Sequence, residues 1–139
     1  MRRALVSGAT GWIGRALCAR LVSSGVEVRK LSRSAGSGSD TWQWDPSAGA
    51  FDADALDGVD TVFHLAGESV AARRWSADQK QRIRDSRVDG TQLLARAIAL
   101  HPRSRPTLVS ASAVGFYGGR ATPPVDESAP AGDDFLAQV

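Results

Sequence analysis

The sequence has little cysteine and no long apolar run. Cys18 is the one cysteine among 139 residues, which excludes an intramolecular disulfide and suits a reducing compartment. No segment approaches the roughly 18 apolar residues of a membrane-spanning helix. Met1-Arg2-Arg3 leads into a strand pattern where a signal peptide would have its apolar core. We therefore predict a cytoplasmic protein with no membrane partner.

Charge of one sign is not concentrated anywhere in the chain. The 17 basic and 15 acidic residues give a formal net charge of +2. The densest basic groups, Arg73-Arg74 and residues 80–87, are interrupted by Asp78 and Asp85. Proteins that bind nucleic acids usually gather basic residues on one face, so we expect no nucleic-acid partner. No metal site is predicted either.

What the sequence does contain is a turn with glycines at positions 8, 11 and 14. Apolar residues 4–6 precede it and a helical pattern follows, which is the order of a strand, a tight turn and a helix N-terminus. Free N–H groups and the helix dipole favour a phosphate there, and glycine lets the backbone approach it. The spacing differs by one residue from the usual G-x-G-x-x-G fingerprint, so the prediction of a dinucleotide site depends on the strand-to-helix context. A β-turn-α unit that binds no ligand is the alternative.

The end of the second predicted strand, residues 26–31, indicates which dinucleotide is bound. An NAD site normally has Asp or Glu here to hold the ribose 2′-hydroxyl, whereas an arginine accepts the 2′-phosphate of NADP. This chain has Ser32 and Arg33 and no acid at that point. The sequence therefore favours NADP over NAD, with an arginine merely solvated on a loop as the alternative.

Three further segments have strand patterns: residues 41–45, 60–67 and 107–112. Trp42 and Trp44 share one face of the first and are expected to pack there. Ala66 and Gly67 end the second, where small residues would let a cofactor lie against the main chain. His64 lies within that strand and is expected to be buried rather than catalytic.

Two segments have helical patterns. One follows the glycine turn and should end at Gly25. The other should start at a capping box formed by Ser76 and Gln79 and run to about Leu100. Gly90 interrupts it at a cost of about 1 kcal/mol relative to alanine, which indicates close approach of a neighbour. The expected buried positions are Ile13, Leu17 and Leu21 in the first helix and Ile83, Leu94, Ala97 and Ile98 in the second.

The alternation of these elements predicts an α/β fold with a doubly wound parallel sheet. Five strands in the order 3-2-1-4-5, joined by right-handed crossovers, give a Rossmann-type NAD(P)-binding fold. A chain of 139 residues, 42% of them hydrophobic, can bury one core. Residues 1–139 are therefore predicted to form a single domain.

Spaced motifs across the chain resemble one protein family. They are GATGWIG at residues 8–14, HLAGE at 64–68, RW at 74–75, DSRV at 85–88, GT at 90–91 and SASAVGFYG at 110–118. Together they are similar to the extended short-chain dehydrogenase/reductases, and more closely to the atypical NAD(P)-binding epimerase-family oxidoreductases of that group. The fold that this resemblance implies agrees with the fold predicted from the residues themselves.

The resemblance also implies roles for individual residues. It places the cofactor pyrophosphate on Gly8, Thr10, Gly11, Trp12, Ile13 and Gly14. It places the adenosine phosphate on Ser32 and Arg33, and the ribose side on Leu65, Ala66 and Gly67. Ser110 and Ala111 would border the nicotinamide, and Ser112 would be the active-site serine that binds a substrate oxygen.

The chain departs from the family pattern in three ways. The catalytic Tyr-x-x-x-Lys pair is absent, since four residues after Tyr117 stands Ala121. Arg87 stands where relatives often have asparagine near the nicotinamide. The chain also stops where family members continue into a substrate lobe, so it is expected to be the amino-terminal half.

These observations together predict the NADP-binding domain of an epimerase/dehydratase-like oxidoreductase. Its substrate would be a small carbonyl compound or a nucleotide sugar. The alternative is a non-catalytic nucleotide-binding or redox-sensing module. Without the Tyr–Lys pair this chain alone is expected to be inactive, and exposed apolar surface is expected to make it associate into dimers.

Overall fold

Six strands and three helices make up the computed structural model, which describes residues 1–34, 38–119 and 124–139. The strands are β1 (Arg3–Ser7), β2 (Glu27–Ser32), β3 (Thr41–Asp45), β4 (Ala50–Phe51), β5 (Thr61–His64) and β6 (Thr107–Ser110). The helices are α1 (Trp12–Ser23), α2 (Ala77–Leu100) and α3 (Phe135–Gln138). Short 3-10 turns connect several of these elements.

One sheet contains all six strands in the order β4-β3-β2-β1-β5-β6. The five parallel strands have the predicted order and confirm the doubly wound α/β fold. The prediction omitted β4, which pairs antiparallel with β3. Asp45 caps the 3-10 turn Pro46–Ala48, and Gly49 at φ +64° lets the chain reverse after it. With only two residues, β4 is too short to produce an alternating pattern.

The central strand β1 pairs with β2 on one side and β5 on the other. Ser7, its last residue, lies opposite Leu31 of β2 and His64 of β5. The carboxyl ends of three strands therefore meet at one edge of the sheet, where ligands of open α/β sheets bind.

Two clusters of buried side chains cover the two faces of the sheet. Leu5 belongs to the cluster with Leu94 of α2, and Ala4 and Val6 belong to the cluster with Leu21 of α1. This alternation along β1 follows from the period of two residues in a strand. Because both faces are covered, β1 is apolar from Ala4 to Val6 and fully buried from Ala4 to Ser7.

The buried face of α1 agrees only in part with the predicted one, since Leu21 is buried and Leu17 packs partly buried against the same core cluster. Ile13 is 63% exposed, and the residues that face the sheet are Gly14, Cys18 and Leu21. The cause is the close packing of Gly14 on the turn, since a Cβ at that position would overlap the carbonyl oxygen of Gly8. The helix is therefore rotated so that its smallest residue faces the turn.

The long helix α2 begins and ends close to the predicted positions. Ile83 and Leu94 are fully buried, and Ala97 and Ile98 pack partly buried against the core. The Ser76 side chain caps the helix by accepting a hydrogen bond from the backbone N–H of Gln79 at 3.2 Å. The Gln79 side chain bonds elsewhere, so the reciprocal half of the predicted capping box does not form. Across the described residues, no helix has both the length and the apolar character needed to cross a membrane.

Candidate functional site

A cleft of about 1140 Å³ lies at the carboxyl ends of β1, β2 and β5. The glycine turn lies on one side of it, and the α2 face that carries Arg82, Asp85, Ser86 and Asp89 lies on another. Among the residues singled out from the sequence, the cleft is lined by Gly8, Thr10, Gly11, Ser32, Arg33, Leu65, Ala66 and Gly67. The structure thus brings together residues that are up to 59 positions apart (Gly8 to Gly67).

The three glycines of the turn have different surroundings. Gly8 has φ +69°, and a Cβ there would lie 2.8 Å from the backbone nitrogen of Ala66. Gly14 is buried against Gly8. Gly11 is exposed and is the N-cap of α1, with no side chain capping the helix and no acidic residue in its first turn. The N-terminus of α1 therefore presents its positive dipole end and its free N–H groups to the cleft.

A buried hydrogen bond between Ser7 and His64 fastens the turn to the end of β5. The Ser7 Oγ lies 2.6 Å from His64 Nδ1 and accepts hydrogen bonds from the backbone N–H groups of Leu65 and Ala66 at 3.2 and 3.3 Å. With those acceptor positions filled, the serine hydroxyl donates its proton to Nδ1, which must be the unprotonated ring nitrogen.

His64 is neutral in this arrangement. It is 3% exposed, as predicted for a buried histidine, and burial lowers the pKa of its imidazole, with the charge of Arg87 adding to the effect. The ring packs edge-on against Trp44 and 3.2 Å from the Cβ position of Gly90. The close neighbour predicted for Gly90 is therefore His64, and the histidine has a structural role at the buried end of β5.

The end of β2 carries more charge than the sequence alone indicates. Arg33 is exposed and lines the cleft with Ser32. Lys30, two residues before Ser32 in β2, also lines the cleft and forms an ion pair with Asp40 at 2.6 Å. Asp45 lies near Arg33, and its pKa is held below its usual range mainly by the Ser47 hydroxyl, with Arg33 contributing.

The sequence analysis did not find Lys30, Asp40 and Asp45, because the contacts between these residues and Arg33 join two different strands and the loop between them. No acid directly follows β2 in the sequence. Asp40 precedes β3 and Asp45 is its last residue, and their proximity to Lys30 and Arg33 depends on the β2–β3 pairing. Alternation along β2 was the one available signal, since it places Lys30 on the same face as Ser32.

The other end of the cleft is formed by the segment after β5. Leu65, Ala66 and Gly67 line it, followed by Glu68. The Arg87 guanidinium packs on Gly67, where a Cβ would lie 3.1 Å from its central carbon, and Nη1 donates to the Glu68 carbonyl at 3.0 Å. The arginine that stands in place of asparagine thus supports the backbone of this segment.

The remaining predicted site residues do not line this cleft. Trp12 and Ile13 are exposed at the start of α1. Ser110, Ala111 and Ser112 are exposed at the end of β6, which stops at Ser110 and not at the predicted residue 112. Tyr117 lines a separate cavity of about 380 Å³ with Gly118, Gly132 and Asp133 among its other lining residues.

Comparison with known proteins identifies the family. Residues 4–135 match the model of the NAD dependent epimerase/dehydratase family. Epimerase family protein Mb2239 of Mycobacterium bovis is 42% identical over 134 residues, which cover 96% of this chain and 44% of that protein. The chain therefore spans less than half the length of this relative.

Two solved structures are similar in fold and in sequence. The human epimerase family protein SDR39U1, solved with NADPH, matches with a TM-score of 0.80 and 35% identity over 98% of this chain and 45% of that one. The nucleoside-diphosphate sugar epimerase from Corynebacterium glutamicum matches with a TM-score of 0.81 and 39% identity, covering 99% of this chain and 28% of that one. These matches confirm the resemblance found in the sequence motifs, and the chain belongs to the NAD dependent epimerase/dehydratase family.

Proposed function

We propose that this chain binds NADP in the cleft at the ends of β1, β2 and β5. It would serve as the cofactor-binding part of an epimerase/dehydratase-like oxidoreductase that acts on a small carbonyl compound or a nucleotide sugar. The observation that carries the proposal is that one cleft holds both the uncapped N-terminus of α1 at Gly11 and the arginine at the end of β2.

The α1 N-terminus fits a pyrophosphate. No side chain caps the helix, so phosphate oxygens can take the place of a cap on its free N–H groups. Gly11 presents no Cβ to a ligand in the cleft, and Thr10 beside it offers a hydroxyl. The ends of the turn are closed by the packing of Gly8 and Gly14, which leaves Gly11 as the point of closest approach.

The end of β2 fits the 2′-phosphate that distinguishes NADP from NAD. Arg33 is exposed to the cleft, and Lys30 is the second cation there. A charge-assisted hydrogen bond is worth roughly 1.5–3 kcal/mol, which corresponds to about 10- to 150-fold in affinity. The NADPH complex of the human relative supports the same preference.

Calorimetric titration of the wild type and of Arg33→Ala with NADPH and NADH tests the proposal. The wild type should bind NADPH about 10- to 150-fold more tightly, and the variant should lose most of that difference while its affinity for NADH stays the same. Arg96→Ala is the matched control, because Arg96 is an exposed arginine of α2 outside the cleft. Equal affinity of the wild type for both cofactors would refute the preference for NADP.

Hydride transfer is the chemistry that the bound nicotinamide supplies, and the residues of this chain bind and orient it. Positioned acid–base catalysis typically contributes about 10²- to 10⁴-fold. Since this sequence has no Tyr-x-x-x-Lys pair, we infer that the 139-residue chain alone gives no appreciable turnover.

The missing pair also favours a second candidate, a non-catalytic nucleotide-binding or redox-sensing module. Stopped-flow fluorescence of bound NADPH with a panel of aldehydes, ketones and nucleotide sugars separates the two. Tight NADPH binding without oxidation by any compound of the panel supports the module. Substrate-dependent oxidation by the 139-residue chain that disappears in Tyr117→Phe would show that the missing pair is not decisive.

A further inference from the structure

Glu68 is held at three points by α2, although its side chain lies at the edge of the cleft. Its backbone N–H donates to the Ser86 hydroxyl at 2.9 Å, and its carbonyl accepts from Arg87 Nη1 at 3.0 Å. Its carboxylate Oε1 accepts a hydrogen bond from Gln79 Nε2 at 3.3 Å. Both the position of the backbone and the direction of the carboxylate are therefore fixed.

Gln79 is an unusual residue to bury at this point. It is 2% exposed, and its Oε1 is buried with no hydrogen-bond partner within the described part of the chain. An unpaired buried polar group costs about 1–3 kcal/mol, which an apolar side chain would avoid. Capping by Ser76 uses only the backbone N–H of Gln79. The Gln79 side chain therefore has one evident role, which is to orient the Glu68 carboxylate, and a carboxylate requires a donor such as Nε2.

The carboxylate keeps most of its hydrogen-bonding capacity for a ligand. An ionised carboxylate has about four acceptor positions, and Gln79 fills one. In the described ranges, no basic side chain lies within 4.0 Å of it, since none of the ion pairs there includes Glu68. Glu68 lines the cleft directly after Gly67. A negative acceptor in that position disfavours phosphate and favours hydroxyl groups.

We propose that Glu68 is a ligand-binding residue that accepts hydrogen bonds from the hydroxyl groups of a sugar ring at the β5 end of the cleft, with Gln79 as its positioning residue. In NAD-binding folds generally, an acidic residue at the end of the second strand binds a ribose hydroxyl by the same chemistry. The ring is either the nicotinamide ribose of the cofactor or the sugar of a nucleotide-sugar substrate. This inference rests on the proposed function of the cleft as a dinucleotide site.

Calorimetry on Glu68→Gln separates the two sources. Glutamine keeps the size and can still accept from Gln79, so the variant should fold. If the ring is the cofactor ribose, the Kd for NADPH should rise about tenfold or more, while the Kd for adenosine 2′,5′-bisphosphate, which lacks that ribose, should not change. If the ring belongs to the substrate, the Kd for NADPH should not change, and the Kd for UDP-glucose with NADPH-loaded protein should rise.

Two further variants distinguish binding from a purely structural role. Gln79→Met removes the amide donor at similar length and should weaken the same ligand by a smaller factor. Glu127→Gln, the same change at an exposed carboxylate outside the cleft, should change neither ligand affinity. A melting temperature that falls in Glu68→Gln and Gln79→Met with unchanged affinity for NADPH and UDP-glucose would overturn the inference. Wild type that binds neither NADPH nor the bisphosphate would instead refute the proposed function, and this inference with it.

Discussion

At the scale of single residues, the glycines of the turn separate folding from ligand binding. A Cβ on Gly14 would overlap the backbone of Gly8, whereas a Cβ on Gly11 would lie 3.3 Å from one oxygen and otherwise face the cleft. We expect Gly14→Val to destabilise the fold strongly, because overpacking costs about 1–3 kcal/mol and more where, as here, the clash is with rigid backbone. Gly11→Val should keep the fold and lose NADPH binding, because its side chain blocks the pyrophosphate.

Circular dichroism and calorimetry on both variants test this separation. Gly119→Ala is the control, because a Cβ there has open space around it, and it should change neither the spectrum nor the affinity. A folded Gly11→Val that binds NADPH as tightly as the wild type would show that the pyrophosphate does not lie at the turn.

His64 should make the protein less stable at mildly acidic pH. Burial lowers its pKa in the folded state below the ordinary value of about 6.5. As the pH falls below about 6.5, the unfolded chain gains a proton that the folded chain does not, so the free energy of unfolding decreases. The loss can reach about 1.4 kcal/mol per pH unit and ends at the lowered pKa.

Urea unfolding at pH 7.5, 6.5 and 5.5 should show this decline in the wild type and a smaller one in His64→Asn. His101 is present in both proteins, so its contribution cancels in the comparison. An equal decline in the two proteins would place the pH dependence elsewhere.

How far the residues of the site can be predicted depends on whether their neighbours are local in sequence. The positions of the glycine turn, Arg33 and the end of β5 at one cleft could be predicted, because each lies within one β-to-loop connection. Ser7, Lys30 and Glu68 could not, because their partners His64, Asp40 and Gln79 come from other elements. Ser112 was assigned by resemblance alone, and its place at the exposed end of β6 leaves that role a prediction.

At the scale of the elements, Gly90 determines how closely α2 approaches the sheet. A Cβ at this position would lie 3.2 Å from the His64 ring and 3.5 Å from Trp44. Gly90→Val should therefore destabilise the protein by about 1–3 kcal/mol, although replacing a mid-helix glycine normally improves helix propensity.

Denaturant unfolding of Gly90→Val, compared with Ala95→Val on the exposed side of the same helix, isolates the contact from the propensity of valine. Ala95→Val should cost a few tenths of a kcal/mol. A Gly90→Val protein as stable as the Ala95→Val protein would show that α2 can move away from His64.

The elements themselves were predictable to different degrees. The buried strands β1 and β5 follow from short apolar runs in the sequence, and the extent of α2 follows from its helical pattern and the Ser76 cap. The exposure of Ile13 on α1 could not be predicted in this way, because the periodic pattern is read from apolar residues and the residue that decides the rotation of the helix is Gly14. The antiparallel β4 depends on Gly49 and a two-residue ladder, which leaves no periodic signal.

At the scale of the whole molecule, several apolar side chains remain exposed. They are Trp12, Ile13, Leu100, Val109, Val114 and Phe116 among others. Apolar surface of several hundred Å² promotes association. We expect the 139-residue chain to form dimers or larger species through the β6 side, where Val109 is 45% exposed.

Light scattering on Val109→Lys should therefore show a shift toward monomer, because a lysine on an edge strand opposes pairing with a second copy. Val125→Lys is the matched control, since Val125 is similarly exposed at 42% and lies outside the strands. A wild type that stays monomeric at high concentration and binds no dye for apolar surface would contradict the expectation.

The two edge strands of the sheet differ in length and in the orientation of their pairing. At one edge, β4 ends the ladder with two antiparallel residues. At the other, β6 pairs with β5 through four residues and, in the described ranges, has no strand on its outer side. In the described part of the chain, the β6 edge therefore offers a four-residue row of N–H and C=O groups to an added strand. A strand added to β6 would therefore extend the sheet on the side away from the Arg33 end of the cleft, and it would leave that end open to a ligand.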